Sequence, residues 1–316
     1  MVIVSFRRVV RSPDSGGRTR DPAAEDYRSQ APVLRFRVWE NVGVDASASK
    51  SISRRQTTGL HTWPSALLLG ALVVEMGFRG ELRDRSIVEL GAGTGISGLC
   101  AALSSNCHRV TLTDGDPKVL QNLERTVSDL KDNFRVRPVV KCTNRAASAG
   151  LALKKGDRSE DNSNEGVNKN NTKSCPKIGH IDVKELEWGL TQLEDLHSYD
   201  ADIILGADCL YERTSWDDFL ATVHAMLVYA TKKRGEGSQR PRFLGCHQLR
   251  NSSHTLAPYL AHWGLQARPL PVPNIVGLTE TDGIATSCQD DVTLGLFELT
   301  LDVCKAHLSD DDSTCI

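Results

Sequence analysis

The chain has 316 residues, of which 40% are hydrophobic and 25% charged, and these values are ordinary for a globular protein. Its formal net charge of -2 excludes a general electrostatic attraction to nucleic acid or to an anionic membrane, and the longest apolar stretch, Ala66 to Val74, is too short to span a membrane. The 9 cysteines are odd in number and lack any C-x-x-C spacing, which favours a reducing compartment (cytoplasm or nucleus) and argues against a structural zinc site.

The N-terminal region is rich in arginine. The first 20 residues contain a single acidic residue and the arginines Arg7, Arg8, Arg11, Arg18 and Arg20. A transit peptide would need an amphipathic helix, which the proline and glycines at 13, 16 and 17 would break. We therefore predict a disordered tail over residues 1–30. Residues 33–42 alternate apolar and polar side chains and predict a strand, an N-terminal β extension.

The chain then alternates between predicted strands and helices. The predicted strands cover residues 86–90, 109–113, 181–188, 203–207, 242–247 and 292–301. The first predicted helix begins at Trp63-Pro64. The other predicted helices cover residues 96–104, 117–130, 216–229 and 253–263. This alternation predicts an α/β fold with a doubly wound, mostly parallel sheet. We expect a single domain over residues 31–304, followed by a C-terminal tail over 305–316.

A polar segment interrupts this alternation. Residues 154–173 contain one β-branched apolar residue and no aromatic residue. Such a composition buries too little surface to offset the entropy lost on ordering. We predict a disordered insert over residues 144–179.

The first predicted strand of the sheet runs directly into a glycine-rich loop. Gly91, Gly93 and Gly95 alternate after the strand, which allows the backbone to approach a ligand closely. Glu89 lies two residues before the first glycine, and its carboxylate would repel pyrophosphate but suit an ammonium group or another cation. This points to S-adenosylmethionine, a nucleoside that carries methionine and a sulfonium.

The glycine loop has other interpretations. Residues 93–98 also fit the dinucleotide pattern G-x-G-x-x-G, and a glycine turn between strand and helix can serve packing alone. A nicotinamide-dependent oxidoreductase would also need a hydride-handling Tyr-x-x-x-Lys or His/Asp pair, which we do not find.

Two further strands end in carboxylates. Asp114 follows the strand 109–113 and could accept hydrogen bonds from both hydroxyls of a ribose, because Asp116 already serves as the cap of the next helix. Asp208 and Tyr211 follow the buried strand 203–207, where the reactive end of a cofactor would lie, although Asp208 could instead cap a turn. Trp63 and Trp188 lie beside loops and could stack on adenine or simply pack.

Five segments together resemble a known family. They occur in the order Thr58–Ala66 (TGLHTWPSA), Val88–Gly95 (VELGAGTG), Leu112–Asp114 (LTD), Leu186–Gly189 (LEWG) and Gly206–Tyr211 (GADCLY). In this order they are similar to the seven-β-strand methyltransferases of family 16, the methyltransferase-like protein lysine methyltransferases. The resemblance covers about residues 33–302, apart from the insert.

The resemblance implies a seven-stranded S-adenosylmethionine-dependent methyltransferase fold. It implies that the S-adenosylmethionine site is lined by Trp63, Gly91, Ala92, Gly93, Asp114, Trp188 and the backbone of Ala207. Glu89 is a further candidate for this site, because its carboxylate suits a cationic group. It also implies that Asp208 to Tyr211 correspond to a D-x-x-Y/F motif near the target nitrogen, with Asp208 and Tyr211 as the catalytic candidates.

We therefore expect methyl transfer to a protein side-chain nitrogen, with lysine favoured. A histone arginine acceptor is an alternative, because Gln248 to Arg250 and Leu256 to Trp263 are similar to a family member with that substrate. A non-catalytic binding module is a second alternative. The expected partner is a protein (a chaperone, a translation factor or a histone), with no direct nucleic acid, no membrane, no metal and a monomeric state. Nucleic-acid amino methylation is disfavoured, because its usual Asn/Asp-Pro-Pro-Tyr motif is replaced by Asp208-Cys-Leu-Tyr211.

Overall fold

The computed structural model describes residues 2–8, 32–40, 58–133, 180–189, 193–196, 198–235, 239–248, 255–281, 284–286 and 293–302. Its strands are β1 (Val2–Arg8), β2 (Leu34–Val38), β3 (Ser86–Glu89), β4 (Arg109–Asp114), β5 (His180–Glu185), β6 (Ile203–Ala207), β7 (Arg242–Gln248), β8 (Leu265–Pro269), β9 (Ile275–Thr281), β10 (Ile284–Thr286) and β11 (Leu294–Leu301). Its α-helices are α1 (Pro64–Arg79), α2 (Ile96–Ser104), α3 (Pro117–Asn133), α4 (Leu193–Leu196), α5 (Trp216–Arg234) and α6 (Ala257–His262).

Seven strands form the central sheet, in the order β5-β4-β3-β6-β7-β11-β8. β3, β4, β5, β6 and β7 pair in parallel, and β11 is antiparallel to both of its neighbours. The prediction of a doubly wound, mostly parallel seven-stranded sheet is confirmed. β3 lies between β4 and β6, so the strand order reverses direction there. Ligands of open α/β sheets bind beyond the carboxyl ends of the strands at such a point.

A second, antiparallel sheet has the order β10-β9-β1-β2. Helix α1 lies between the two sheets, because it contacts β9 of the small sheet and β7 of the large one. This position explains why α1 is apolar on most of its surface, with Leu67, Leu69, Ala71 and Val74 fully buried.

The predicted disordered tail is wrong for residues 2–8, which form β1 in the interior of the small sheet. Val4 and Phe6 are fully buried, and Phe6 stacks on Phe36 with ring centroids 6.3 Å apart. The arginines that suggested a tail begin only at the end of this strand, after a run of five residues that is mostly apolar. Residues 9–31, the predicted insert at 144–179 and the predicted tail at 305–316 lie outside the described residues.

Several element boundaries differ from the predictions. β5 ends at Glu185, so Trp188 lies in a turn and not in a strand. The predicted helix 253–263 contains α6, which begins only at Ala257, and β8, β9 and β10 were not predicted. Among the described residues, no helix is both long and apolar enough to cross a membrane.

Candidate active site

A cavity of about 990 Å³ opens beyond the carboxyl ends of β3, β4 and β6. Three segments that follow these strands reach it: the glycine loop after β3, Asp114 at the end of β4 and Asp208 after β6. Nine of the ten residues proposed from the sequence line it: Trp63, Gly91, Ala92, Gly93, Asp114, Trp188, Ala207, Asp208 and Tyr211. The parallel sheet thus brings together residues that lie up to 148 positions apart, from Trp63 to Tyr211.

The glycine loop has a backbone that only glycine adopts readily. Gly91, Gly93 and Gly95 have φ angles of 57°, 55° and 76°. A Cβ atom at Gly91 would lie only 2.7 Å from Cζ2 of Trp188. The Trp188 ring in turn packs edge-on against Phe219, with ring centroids 4.9 Å apart. The absent side chain of Gly91 therefore makes room for an aromatic ring directly over the loop.

Asp114 connects the glycine loop to the next strand. Its Oδ2 accepts a hydrogen bond from the backbone N–H of Gly93 at 3.1 Å, and its Oδ1 accepts one from that of Asp116 at 3.0 Å. Burial raises the pKa of this carboxyl, and the two backbone hydrogen bonds partly counter the rise. A carboxylate offers about four acceptor positions, so Asp114 retains capacity for two hydroxyl donors of a ribose.

Glu89 does not line the cavity, contrary to the prediction that it contacts the cofactor. Its side chain is buried, and its Oε2 accepts a hydrogen bond from the backbone N–H of Gly98 in α2 at 2.8 Å. Burial raises the pKa of Glu89 to about 7. The side chain therefore joins β3 to α2 beneath the glycine loop. The position of Glu89 two residues before the first glycine suggested a contact with the cofactor, but sequence position does not give the direction of a side chain.

Asp208 has an unusual backbone for a residue with a side chain, with φ of 55°. Its N–H donates to the carbonyl of Cys246 at 2.8 Å, and its Oδ1 accepts from the N–H of Gln248 at 3.4 Å. The same Oδ1 lies 3.7 Å from Nδ1 of His247. Strained backbone of this kind is concentrated at functional sites. Tyr211 is 49% exposed and lines the same cavity.

Several residues of the cavity were not predicted from the sequence. Gly59 and His61 line it from the segment before α1, within a motif from which only Trp63 had been selected. Glu187, Asp218 and Gln248 also line it. Glu187 lies within the LEWG segment, from which Trp188 was predicted, whereas Asp218 and Gln248 lie near the start of a helix and at the end of a strand.

The lining of the cavity is acidic. Among the described residues that line it, the charged side chains are Asp114, Asp116, Glu187, Asp208 and Asp218, and neither lysine nor arginine is present. Such a lining favours a cationic ligand and disfavours one that carries phosphate groups.

The model of a protein family described as lysine methyltransferase matches residues 49–144 and 146–244, more than half of the chain. The chain belongs to the lysine methyltransferase family. The matched residues include the glycine loop, Asp114, Trp188 and the segment from Asp208 to Tyr211.

Individual proteins are also similar to this member of the lysine methyltransferase family. The mouse protein-lysine N-methyltransferase EEF2KMT is 27% identical over 184 residues, which are 58% of this chain and 43% of that protein. The Chaetomium thermophilum protein-lysine N-methyltransferase EFM3 is 39% identical over 91 residues, 28% of this chain and 26% of that protein. The Xenopus laevis histone-arginine methyltransferase METTL23 is 24% identical over 216 residues, 68% of each chain. The match thus spans less than half the length of the first two relatives.

Among solved structures, the magnesium protoporphyrin IX methyltransferase of Synechocystis PCC 6803 with bound SAH is similar over 75% of this chain and 83% of that chain, with 9% identity and a TM-score of 0.40.

Proposed function

We propose that the protein transfers a methyl group from S-adenosylmethionine to a side-chain nitrogen of a protein, with lysine as the favoured acceptor. The observation that carries the proposal is that Asp208 and Tyr211 line the same acidic cavity as the glycine loop and Asp114. Membership of the lysine methyltransferase family supports the reaction, as does the similarity to the mouse and fungal protein-lysine N-methyltransferases.

The residues present fit this cofactor. Asp114 has acceptor capacity for the ribose hydroxyls, and Gly91 and Gly93 line the cavity with backbone alone. Trp63 and Trp188 line the cavity and would stack on adenine, and the acidic lining suits a positively charged sulfonium. When bound, the cofactor supplies an electrophilic methyl group on sulfur.

The protein has to position and desolvate the acceptor nitrogen. A lysine with a reference pKa near 10.4 needs about 4.6 kcal/mol to become neutral at pH 7, and desolvation lowers this cost. Asp208, which is buried at the edge of the cavity, would hold the amine by a hydrogen bond and orient its lone pair. Tyr211 would border the methyl pocket and exclude water.

A histone arginine acceptor is the second candidate. It is favoured by the frog relative, which is named a histone-arginine methyltransferase and is matched over 68% of both chains. A guanidinium keeps its proton in water, so Asp208 would then have to accept that proton during attack. We also propose that the substrate is a chaperone, a translation factor or a histone. The enzyme would be a monomer in the cytoplasm or nucleus.

The central test replaces Asp208 by asparagine. Asn tolerates a positive φ angle and keeps an oxygen that can accept from Gln248, so D208N removes the charge with little change in the backbone. We expect the methyl-transfer rate to fall by about 100-fold or more, in line with the loss of a positioned polar group. The affinity for S-adenosylhomocysteine, measured by calorimetry, should stay within about threefold.

The assay incubates the full chain with labelled cofactor and cell lysate and locates the label by mass spectrometry. Asp195→Asn is the matched control, because Asp195 is exposed and does not line the cavity. A D208N protein as active as the D195N protein would refute the assigned role. Label on nucleic acid, or no binding of S-adenosylhomocysteine by the unaltered protein, would refute the proposed function.

A further inference from the structure

One side of the cavity is formed by the loop at residues 58–63. Gly59, His61 and Trp63 from this loop line the cavity. The loop also contacts the glycine loop directly, because a Cβ atom at Gly93 would lie 3.1 Å from the carbonyl oxygen of Gly59. A shift of the 58–63 loop would therefore change the space that is available beside the glycine loop.

Glu40 holds this loop from outside the cavity. Its Oε1 accepts a hydrogen bond from the backbone N–H of Thr62 at 2.7 Å. Thr62 lies between His61 and Trp63, so the bond fixes the backbone at the centre of the cavity-lining residues. Glu40 does not line the cavity and lies 22 positions before Thr62 in the chain.

Glu40 is itself held in place by its neighbour Trp39, which is anchored on α3. The guanidinium carbon of Arg125 lies 3.3 Å from the centre of the Trp39 ring, a cation–π contact. The backbone N–H of Trp39 donates to Oγ1 of Thr126 at 3.2 Å, and its carbonyl accepts from Asn122 at 2.6 Å. The indole N–H donates to Asp129. Helix α3 follows directly after Asp114 and Asp116, so these contacts connect the ribose side of the cavity to the 58–63 loop.

We propose that Glu40 is a positioning residue for the cofactor site: it holds the 58–63 loop in the place that cofactor binding requires. The proposal rests on the proposed function, because it takes the cavity to be the S-adenosylmethionine site. The segment that follows β2 would then contribute to cofactor binding, whereas β2 itself belongs to the small sheet. Glu40 lies outside the cavity, so the effect should fall on binding and not on the chemical step.

The test compares four forms of the full chain: unaltered, E40A, E40Q and E75A. E40Q keeps an oxygen that can accept from Thr62. E75A is the matched control, because Oε2 of Glu75 accepts from the backbone N–H of Asn274 at 2.9 Å, the same kind of bond at a place outside the cavity. We expect E40A to weaken the binding of S-adenosylhomocysteine by about tenfold, while E40Q and E75A stay within about threefold of the unaltered protein. In the transfer assay, E40A should raise KM for the cofactor and leave kcat within about twofold.

Hydrogen exchange of the free protein gives a readout that does not depend on the cofactor. Peptides that contain Thr62 should exchange faster in E40A than in E40Q, and E75A should leave the exchange of these peptides unchanged. Unchanged exchange at Thr62, or binding by E40A equal to that of the unaltered protein, would overturn the proposal. Binding by E40Q as weak as that by E40A would do so too.

Failure of the proposed function would give a different result. The unaltered protein would then not bind S-adenosylhomocysteine at all, whereas the exchange at Thr62 would still report on Glu40. If E40A does not fold, E40D replaces it, because its shorter side chain keeps the charge but moves the acceptor away from Thr62; the same weakening is expected, and its absence would refute the proposal.

Discussion

At the scale of single residues, the contact between Gly91 and Trp188 has little tolerance for change. Gly91 combines a positive φ angle with a neighbouring ring that a Cβ atom would approach to 2.7 Å. Either the positive φ angle or the neighbouring ring alone disfavours a side chain at Gly91. Only the ring, which belongs to Trp188, lines the cavity. The two effects can be separated, because other glycines of the chain have the backbone strain without the neighbour.

We expect Gly91→Ala to weaken the binding of S-adenosylhomocysteine by at least about tenfold, because Trp188 must move away from the loop. The free energy of unfolding should also fall by about 1–3 kcal/mol from the strained backbone. Calorimetry and urea denaturation measure the two effects.

Gly264→Ala is the matched control for Gly91→Ala. Gly264 has the same φ angle of 57°, but no atom of the described residues lies within 4 Å of a Cβ atom built there. It should therefore lose stability and keep its affinity. Equal affinities of the two variants would show that the space beside Trp188 does not matter for binding.

The residues of the site could be predicted from the sequence to the extent that they follow strand ends. Gly91, Asp114 and Asp208 each come after a recognisable strand, and a parallel sheet aligns such ends at one edge. His247 ends the predicted strand 242–247 but was not among the predicted site residues, and Glu40 follows a strand of the small antiparallel sheet. Their relation to the site depends on contacts with Asp208 and Thr62, and a contact between distant residues leaves no local pattern in the chain.

At the scale of elements, α2 begins without a capping side chain of its own. Its N-cap residue is Gly95, which has none, and the N–H of Gly98 in the first turn is satisfied by Glu89 from β3. The glycine that the loop geometry requires thus removes the usual cap, and the preceding strand supplies a carboxylate in its place. This contact holds the loop between two fixed elements.

The titration of Glu89 should be visible in the pH dependence of stability. Its pKa is raised from 4.5 to about 7 by burial, so the folded protein keeps the proton where the unfolded chain releases it. The contribution of this group to stability is fully present below pH 4.5 and is lost as the pH rises to about 7. The loss should be of the order of 3 kcal/mol at most.

Glu89→Gln removes this titration. We expect the stability of Glu89→Gln, relative to the unaltered protein, to rise between pH 4.5 and pH 7 and to stay constant above it. Urea denaturation at several pH values measures the difference. Parallel pH profiles for the two proteins would mean that Glu89 titrates normally in the folded state.

The elements that could be predicted are those with a strong internal pattern. β6 is a continuous apolar run because both of its faces are covered, and α3 repeats its apolar residues at steps of 3 and 4. β8 was missed because it is an edge strand with four of its five residues exposed, so its sequence lacks an apolar pattern. Its pairing with β11 comes from the assembled sheet and not from its own residues.

At the scale of the whole molecule, the N-terminal strand is part of the same packed core as the large sheet. Phe6 of β1 lies between two glycines of other elements. A Cβ atom at Gly70 of α1 would lie 2.9 Å from the ring of Phe6, and one at Gly277 of β9 would also lie 2.9 Å from it. Helix α1 also contacts β7, so it connects the packing around Phe6 to the central sheet. The prediction of a tail rested on the number of arginines among the first 20 residues. That number gives no information about residues 2–6, which precede the first arginine and are mostly apolar.

Phe6→Ala tests whether the small sheet is needed for the stability of the domain. Removing a fully buried ring that fills the space beside two glycines should lower the free energy of unfolding by about 3–5 kcal/mol. Because α1 contacts both sheets, the loss should appear in a single urea transition, with fluorescence and circular dichroism giving the same midpoint. Val272→Ala, at a side chain that is 71% exposed, should change the free energy by less than about 0.5 kcal/mol. Two separate transitions in Phe6→Ala, the first confined to the small sheet, would show instead that the N-terminal strand is an independent appendage.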